Sequence, residues 1–343
     1  METASFDASL PTLAGDARWF PVDLHVPERR FEMAVLDVEA LERSNFLDTR
    51  LDAALESVDT VPAERFASLS SQPSPAWLFH TSFCGSTLLA RAAHLPPYHV
   101  ALKEPLVLRR LGDARNSDWP IDGLCDTAVR LLSRPWPPGG NVLVKTTHAA
   151  LNIAPDLLRA TPDSRAVLLT STLDDFLVSN LKKTAETQAK VPELAERALR
   201  AGTLHARLPA QALEPPDLLC AVALQWAAQR DLLGALVRDF GGRVRVLDFA
   251  TLANDPENVV IACARWWRWS SPDGALRERA RAIAQRNAKA MSVEYSAQQR
   301  AQEAQMVQAR FGAELARARD WAGRFLLPYL GTPLPMQPPQ EWT

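Results

Sequence analysis

The chain has 343 residues but only four cysteines: Cys84, Cys125, Cys220 and Cys263. None sit as a CxxC pair, and no histidine lies at finger spacing from two of them. A zinc site and a disulfide framework are therefore not expected, and the cytoplasm is the expected location. Neither sign of charge is in excess. Lys and Arg total 38 against 40 Asp and Glu, a net charge of −2. A general nucleic-acid binder carries a basic surplus, so no nucleic-acid partner is expected. Long apolar runs are also missing. The longest, near Leu218–Ala228, is about half of the roughly 20 residues that a membrane span needs, so no membrane partner is expected either. The opening METASFDASLPTLAG has neither the basic nor the apolar stretch of a secretory leader. A Walker A loop, GxxxxGK[ST], is absent.

What is present is an ordinary globular composition, 47% hydrophobic and 23% charged, which excludes bulk disorder. At roughly 150 residues per domain, the length fits one large or two ordinary domains. Residues 1–72 read as an accessory region: WFPVDL, then the helix-like VLDVEALERS and DTRLDAALESV, an N-terminal helical extension. SLSSQPSPAW, Ser68–Trp77, reads as a linker. Residues 73–330 form the main unit, and 331–343 a Pro-rich tail.

In the main unit short apolar runs alternate with helical ones. The predicted strands are Trp77–Phe79, Val100–Leu102, Val142–Val144, Ala166–Leu169 and Val244–Leu247. The predicted helices are Ser86–His94, Ile121–Ser133, Ala150–Ala160, Leu173–Thr184 and Asp217–Phe240. Pro256–Arg268, Ala275–Gln285 and a long Ala297–Leu326 follow. Continuously apolar strands separated by helices predict an α/β fold, a parallel sheet flanked by helices. In such sheets ligands bind beyond the carboxyl ends of the strands.

The segment after the first strand of this unit is the most informative: WLFHTSFCGSTLLARAA. A strand ends at Phe79, a loop runs over His80–Gly85, and Ser86-Thr87 open an Arg-containing apolar helix. The amides of Gly85, Ser86 and Thr87 would stand at a helix N-terminus, where free N–H groups and the positive dipole end favour an anion. A plain helix cap by Ser86 or Thr87 is the simpler reading. Cys84, at the same N-terminus, is expected to have a lowered thiol pKa and is a minor nucleophile candidate.

HTSFCGSTLLAR resembles the phosphosulfate-binding loop of the P-loop sulfotransferases, whose usual form is PKSGTT or PRSGTT before an apolar helix with an Arg. Three further segments resemble the family in order: NVLVKTTHAALNIAPDLL, RAVLLTSTLDDFLVSNLKK and VRVLDFATLANDPENVV. Together the four cover about residues 76–300. The resemblance implies the P-loop NTPase-like sulfotransferase fold. It also implies 3′-phosphoadenosine 5′-phosphosulfate as the donor, 3′-phosphoadenosine 5′-phosphate as the product, and no metal. The implied donor-binding positions are Ser82, Phe83, Cys84, Gly85, Ser86, Thr87, Ser171, Ser179 and Lys289. Two positions depart from the family: Phe83 replaces the loop cation, and Ser171 replaces the Arg that meets the 3′-phosphate. Lys103, Lys145, Lys182, Lys183 and Lys289 are the cations available in their place.

Three residues carry the expected chemistry. Lys145 follows a strand directly and can neutralise charge on a bridging oxygen. His148, with an ordinary pKa near 6.5, suits removal of a hydroxyl proton, though Lys145-Thr146-Thr147-His148 is one residue longer than the family's Lys-Thr-His. Glu104, in LKEP, is the rival base or a partner, and its simpler reading is a surface pair with Lys103. His80 reads as a packed strand-end histidine, and Trp266, Trp267 and Trp269 as helix packing. The expected function is sulfuryl transfer to a hydroxyl or amine of a small-molecule or peptide acceptor. The alternatives are a P-loop nucleotide-dependent phosphotransferase, with Asp248 as its acidic strand end, and a non-catalytic sulfotransferase-like binding or scaffold protein. The C-terminal helix is able to cover the site or to mediate a homo-oligomer.

Overall fold

The protein is described from a computed structural model over residues 15–51, 56–70, 72–137, 139–287, 290–294 and 297–342. The N-terminal region is mostly sheet. Strands β1 (Trp19–His25), β2 (Arg30–Val35) and β3 (Glu56–Pro62) pair antiparallel in the order β1-β2-β3. The expected helical extension is thereby corrected. VLDVEALERS contributes only the six-residue α1 (Val38–Arg43), and the end of DTRLDAALESV lies in β3. Helical spacing over so short a stretch is overridden when pairing with a neighbouring strand satisfies the backbone instead. Trp19, Phe31 and Met33 of this sheet are fully buried in a core shared with the main unit.

That main unit is α/β. Strands β4 (Ala76–His80), β5 (His99–Lys103), β6 (Asn141–Lys145), β7 (Ala166–Thr170) and β8 (Val244–Asp248) form one parallel sheet in the order β5-β6-β4-β7-β8. All five expected strands are present. Every residue of β4, β5 and β7 is buried, because helices cover both faces. On one face lie α2 (Ser86–Ala93), α12 (Pro256–Trp266) and α13 (Asp273–Ala284), packed on Leu78, Leu143, Val167 and Leu247. On the other lie α3 (Leu106–Asn116), α4 (Leu124–Leu132) and α5 (Ala154–Ala160), packed on Trp77, Phe79, Val100 and Leu168.

A third layer holds α6 (Leu173–Leu181), the short α7 (Ala185–Ala189), α8 (Val191–Ala201), the short α9 (Ala210–Leu213) and α10 (Leu218–Phe240). Helix α10 is capped by the Asp217 carboxylate, which accepts from the Cys220 N–H at 2.9 Å. It is buried on most sides, since the sheet and α6, α8 and the C-terminal helix all pack on it. Between β8 and α12 sits α11 (Phe249–Asn254). The long C-terminal helix is in fact two, α14 (Ala297–Arg310) and α15 (Gly312–Phe325), because Phe311 leaves helical geometry (φ −119°, ψ 26°) ahead of Gly312. Because these strands run parallel and neighbour one another in the order β5-β6-β4, the β4–α2, β5–α3 and β6–α5 turns lie side by side at one end of the sheet.

Candidate functional site

The β4–α2 turn begins with His80 and ends on Gly85. Gly85 has φ +79°, and a Cβ there would lie 2.6 and 2.7 Å from the Phe249 ring. Both facts require glycine. No side chain caps α2. Among the described residues, no carbonyl accepts from the amides of Phe83, Cys84, Gly85, Ser86 or Thr87. The simple N-cap reading for Ser86 or Thr87 is therefore not met, and apart from contacts of the Cys84 and Ser86 N–H groups with the Cys84 sulfur the donors at this helix N-terminus have no acceptor among the described residues. Ser82, Cys84, Ser86 and Thr87 are buried.

Two glutamines of α10 hold this turn from the other side. The Ser82 N–H donates to Gln229 Oε1 at 2.8 Å. Gln229 Nε2 donates to Ser82 Oγ at 3.1 Å, and Gln225 Nε2 does so at 3.2 Å. Phe83 is in the left-handed region (φ 58°), with its ring 5.3 Å from that of Phe176. The Lys183 ammonium lies 5.2 Å from the Phe83 centroid, so a cation stands beside the turn at this position. Lys182 instead pairs with Glu303 at 3.1 Å. The expectation for Cys84 is corrected. Burial pushes its thiol up to about 12, and its Sγ–H donates to the Thr81 carbonyl at 3.0 Å. Desolvation outweighs the helix dipole here.

Glu104 and Lys145 form one buried ion pair, joining the ends of β5 and β6. Glu104 Oε1 accepts from Lys145 Nζ. The Lys145 side chain is 0% exposed and that of Glu104 12%. Burial raises the Glu104 carboxyl, but the Lys145 ammonium, by charge and hydrogen bond, together with His80 and His148 outweighs it and holds the group at about 2. Glu104 also has φ 57°, a conformation that costs a non-glycine residue about 1 to 2 kcal/mol. Its N–H donates to the Lys145 carbonyl at 2.8 Å, which fixes it there. The surface-pair reading fails, because Lys103 is fully buried and donates to the Leu41 carbonyl on the opposite side. Lys103 is thus not among the cations at the β4–α2 turn. The accessory region reaches the pair as well: Arg50 Nη2 lies 4.0 Å from Glu104 Oε2, and its guanidinium stacks 3.7 Å from the Phe46 centroid.

His148 opens the turn of 3₁₀-helix after β6. Its Nδ1 is 3.3 Å from Gln229 Nε2. Because Gln229 Oε1 already faces the Ser82 N–H, only its amide NH₂ can face the imidazole. Nδ1 therefore accepts, and the proton of the neutral ring sits on Nε2. Burial pushes this imidazole down to about 4, so it is neutral at pH 7. His80 is packed as expected. Its ring nitrogens lie 2.8 Å from the Thr81 and Thr146 carbonyls, and burial lowers it to about 3.

The remaining expected residues are not gathered here. Ser171, after β7, is buried, with its carbonyl accepting from Trp226 Nε1 at 3.0 Å. Ser179 is half-buried, two turns along α6. Lys289 lies outside the described residues. Asp248 is two strands from β4 in the sheet order, and its carboxylate caps α11 through the Ala250 N–H at 2.7 Å. Trp266 packs on the sheet, donating to the Ala166 carbonyl at 3.0 Å. Among the described residues no cluster of His, Cys, Asp and Glu has the geometry to hold a metal, and no helix is long and apolar enough to cross a membrane.

Four contributors escaped the sequence reading: Gln225, Gln229, Phe249 and Arg50. Only the glutamines left a signal. Two amides at i and i+4 in LLCAVALQWAAQRDLL must find partners once that helix is buried.

No protein-family model matches the chain, and no curated protein matches it. Among solved structures the chain is similar to the sulfotransferase STF9 from Mycobacterium avium, at 13% identity and TM-score 0.41, covering 72% of this chain and 77% of that one. It is similar to a sulfotransferase from Alicyclobacillus acidocaldarius at 17% identity and TM-score 0.40, covering 76% and 99%. The sulfotransferase domain from the curacin biosynthetic pathway matches at 10% identity and TM-score 0.35, covering 71% and 99%.

Proposed function

We propose that this protein transfers a sulfuryl group from 3′-phosphoadenosine 5′-phosphosulfate to a hydroxyl or amine of a small-molecule or peptide acceptor. One juxtaposition carries the reading. An uncapped helix N-terminus whose amides meet no carbonyl acceptor among the described residues lies beside a buried lysine–glutamate pair, at the carboxyl ends of three adjacent parallel strands. When bound, the donor supplies an activated sulfuryl group on a bridging oxygen that gains charge as its bond to sulfur breaks.

The chain's own residues then have separate tasks. The amides around Gly85, Ser86 and Thr87 bind the anionic end, with Lys183 as the nearby cation. Lys145 is the buried cation that balances charge growing on the leaving oxygen. Glu104 is the carboxylate placed to take the acceptor proton. Its low pKa is a consequence of Lys145, so sharing that ammonium with an arriving anion returns basicity to the carboxylate. His148 presents its Nε2–H rather than a lone pair, and so acts as a hydrogen-bond donor to negative charge. Arg50, reaching in from the accessory region, closes the acceptor side.

A second reading, a binding module without turnover, is favoured by one observation. Ser82, Cys84, Ser86 and Thr87 are all buried, with the Phe249 ring against Gly85. Calorimetric titration with 3′-phosphoadenosine 5′-phosphate separates the two. Micromolar binding that is lost in Lys145→Met supports the transferase. Heat-silent titration up to millimolar nucleotide refutes it and leaves the module.

A further inference from the structure

After α1 the accessory region runs along the carboxyl end of β5, and its path there is tightly held. Three carbonyls at the end of α1 accept from cations of the main unit. Lys103 Nζ donates to Leu41, Arg91 Nη1 to Glu42 at 2.9 Å, and Arg91 Nη2 to Arg43 at 3.2 Å. The Glu42 carboxylate pairs with Arg279 at 2.5 Å. Leu47 then straddles Glu104. Its N–H donates to the Lys103 carbonyl at 2.7 Å, and its own carbonyl accepts from the Leu106 N–H at 2.9 Å. Glu104, with its left-handed backbone, stands between those two ties.

Arg50 follows three residues later. Its backbone N–H and its Nε both donate to Asp48 Oδ1 at 2.9 Å, and Nη2 donates to Asp48 Oδ2. The guanidinium lies over the Phe46 ring, 3.7 Å from its centroid, and the Lys145 ammonium is 5.7 Å from the same centroid. A carboxylate and a ring thus anchor an exposed arginine. They leave its Nη2 4.0 Å from Glu104 Oε2, while Lys145 Nζ donates to Oε1. Glu104 is faced by Lys145 at the end of β6, His80 at the end of β4, His148 in the 3₁₀ turn, and Arg50. Burial pushes the two imidazoles down to about 3 and about 4, so both are uncharged at pH 7. Of these four groups, Lys145 and Arg50 carry the positive charge.

We propose that Arg50 is a positioning residue for Glu104, supplied by the accessory region: it keeps the carboxylate aimed and ionised when the Lys145 ammonium turns to an arriving anion. The use of Glu104 as proton acceptor rests on the sulfuryl-transfer reading; the hold of Arg50 on its carboxylate does not. An opposite charge at this range favours the ionised form, and a guanidinium already anchored loses little freedom in supplying it.

The test is an NMR titration of the Glu104 carboxyl carbon, assigned through Glu104→Gln, in the full chain carrying Lys145→Met, where no ammonium masks Arg50. Adding Arg50→Gln should raise the Glu104 pKa by about one unit, and adding Arg50→Lys by less than half of that. A double-mutant cycle with Lys145 in place is the second readout. Arg50→Gln should raise the urea-unfolding constant at pH 7 about threefold more in the wild-type chain than in Glu104→Gln, which separates Glu104 from the pairing with Asp48. Affinity for 3′-phosphoadenosine 5′-phosphate should be equal in wild type and Arg50→Gln. An unmoved titration overturns the proposal, as does an equal effect of Arg50→Gln with and without the Glu104 carboxylate. A tenfold loss of nucleotide affinity in Arg50→Gln also overturns it, since Arg50 is then a donor ligand. A wild type that binds no nucleotide removes the sulfuryl-transfer reading, and the titration still decides for or against Arg50.

Discussion

Removing Lys145 tests the centre of the site, and its first effect should be on stability. Lys145→Met leaves the Glu104 carboxylate buried without its ammonium. In the wild type this carboxyl is held at about 2 against an ordinary 4.5. That difference corresponds to about 3 kcal/mol of stabilisation at neutral pH. Breaking a buried pair from one side costs about 3 to 5 kcal/mol, which agrees. A typical protein has about 5 to 15 kcal/mol in total, so the variant should remain folded but clearly weakened.

The sign with pH is specific. In the wild type the folded pKa is depressed, so the contribution is present above pH 4.5 and is lost as pH falls from there toward 2. In Lys145→Met, burial acts on Glu104 against only the weaker pull of Arg50, His80 and His148, and raises its pKa. That variant should therefore gain stability relative to wild type as the solution is acidified from neutral. Adding Glu104→Gln should recover most of the loss at pH 7, since an amide carries no charge to desolvate. The assay is urea unfolding of the two single variants and the double variant at pH 7 and pH 4.5, followed by tryptophan fluorescence. A Lys145→Met loss under about 1 kcal/mol, with unchanged pH dependence, would refute the buried pair.

Two further outcomes follow from the same geometry. Gly85→Ala should destabilise by about 2 to 5 kcal/mol, from its left-handed backbone and the collision with Phe249; Phe249→Ala in that background should recover the collision part, and urea unfolding that finds no loss removes the claimed close approach. In Gln229→Glu the imidazole of His148 should shift its proton from Nε2 to Nδ1 and titrate above its wild-type value of about 4, as read from ring-nitrogen NMR shifts; an Nδ1–H already present in the wild type contradicts the amide orientation argued here.

Much of this was legible in the chain because it depends on local pattern. Five apolar runs of strand length, separated by helices, leave a parallel sheet as the arrangement that buries both faces. Gly85 at the strand–helix junction, Lys145 and Glu104 directly after strands, and Pro105 at the entrance to α3 each follow from neighbours in sequence. The accessory sheet was not legible in this way. The end of DTRLDAALESV, from Glu56, pairs with β2 as strand, a long-range contact that spacing along the chain does not show.

The sequence by itself determined the sheet, its order of helices and strands, and which turns face the same end. Only the tertiary structure decided how the polar groups there are matched. It joined Lys145 to Glu104 across 41 positions and Ser82 to Gln229 across 147. It also turned the His148 proton to Nε2 and raised rather than lowered the Cys84 thiol. The reason is physical: charge and hydrogen-bond state depend on burial and on the nearest partner in space, and neither is a property of a residue's neighbours along the chain.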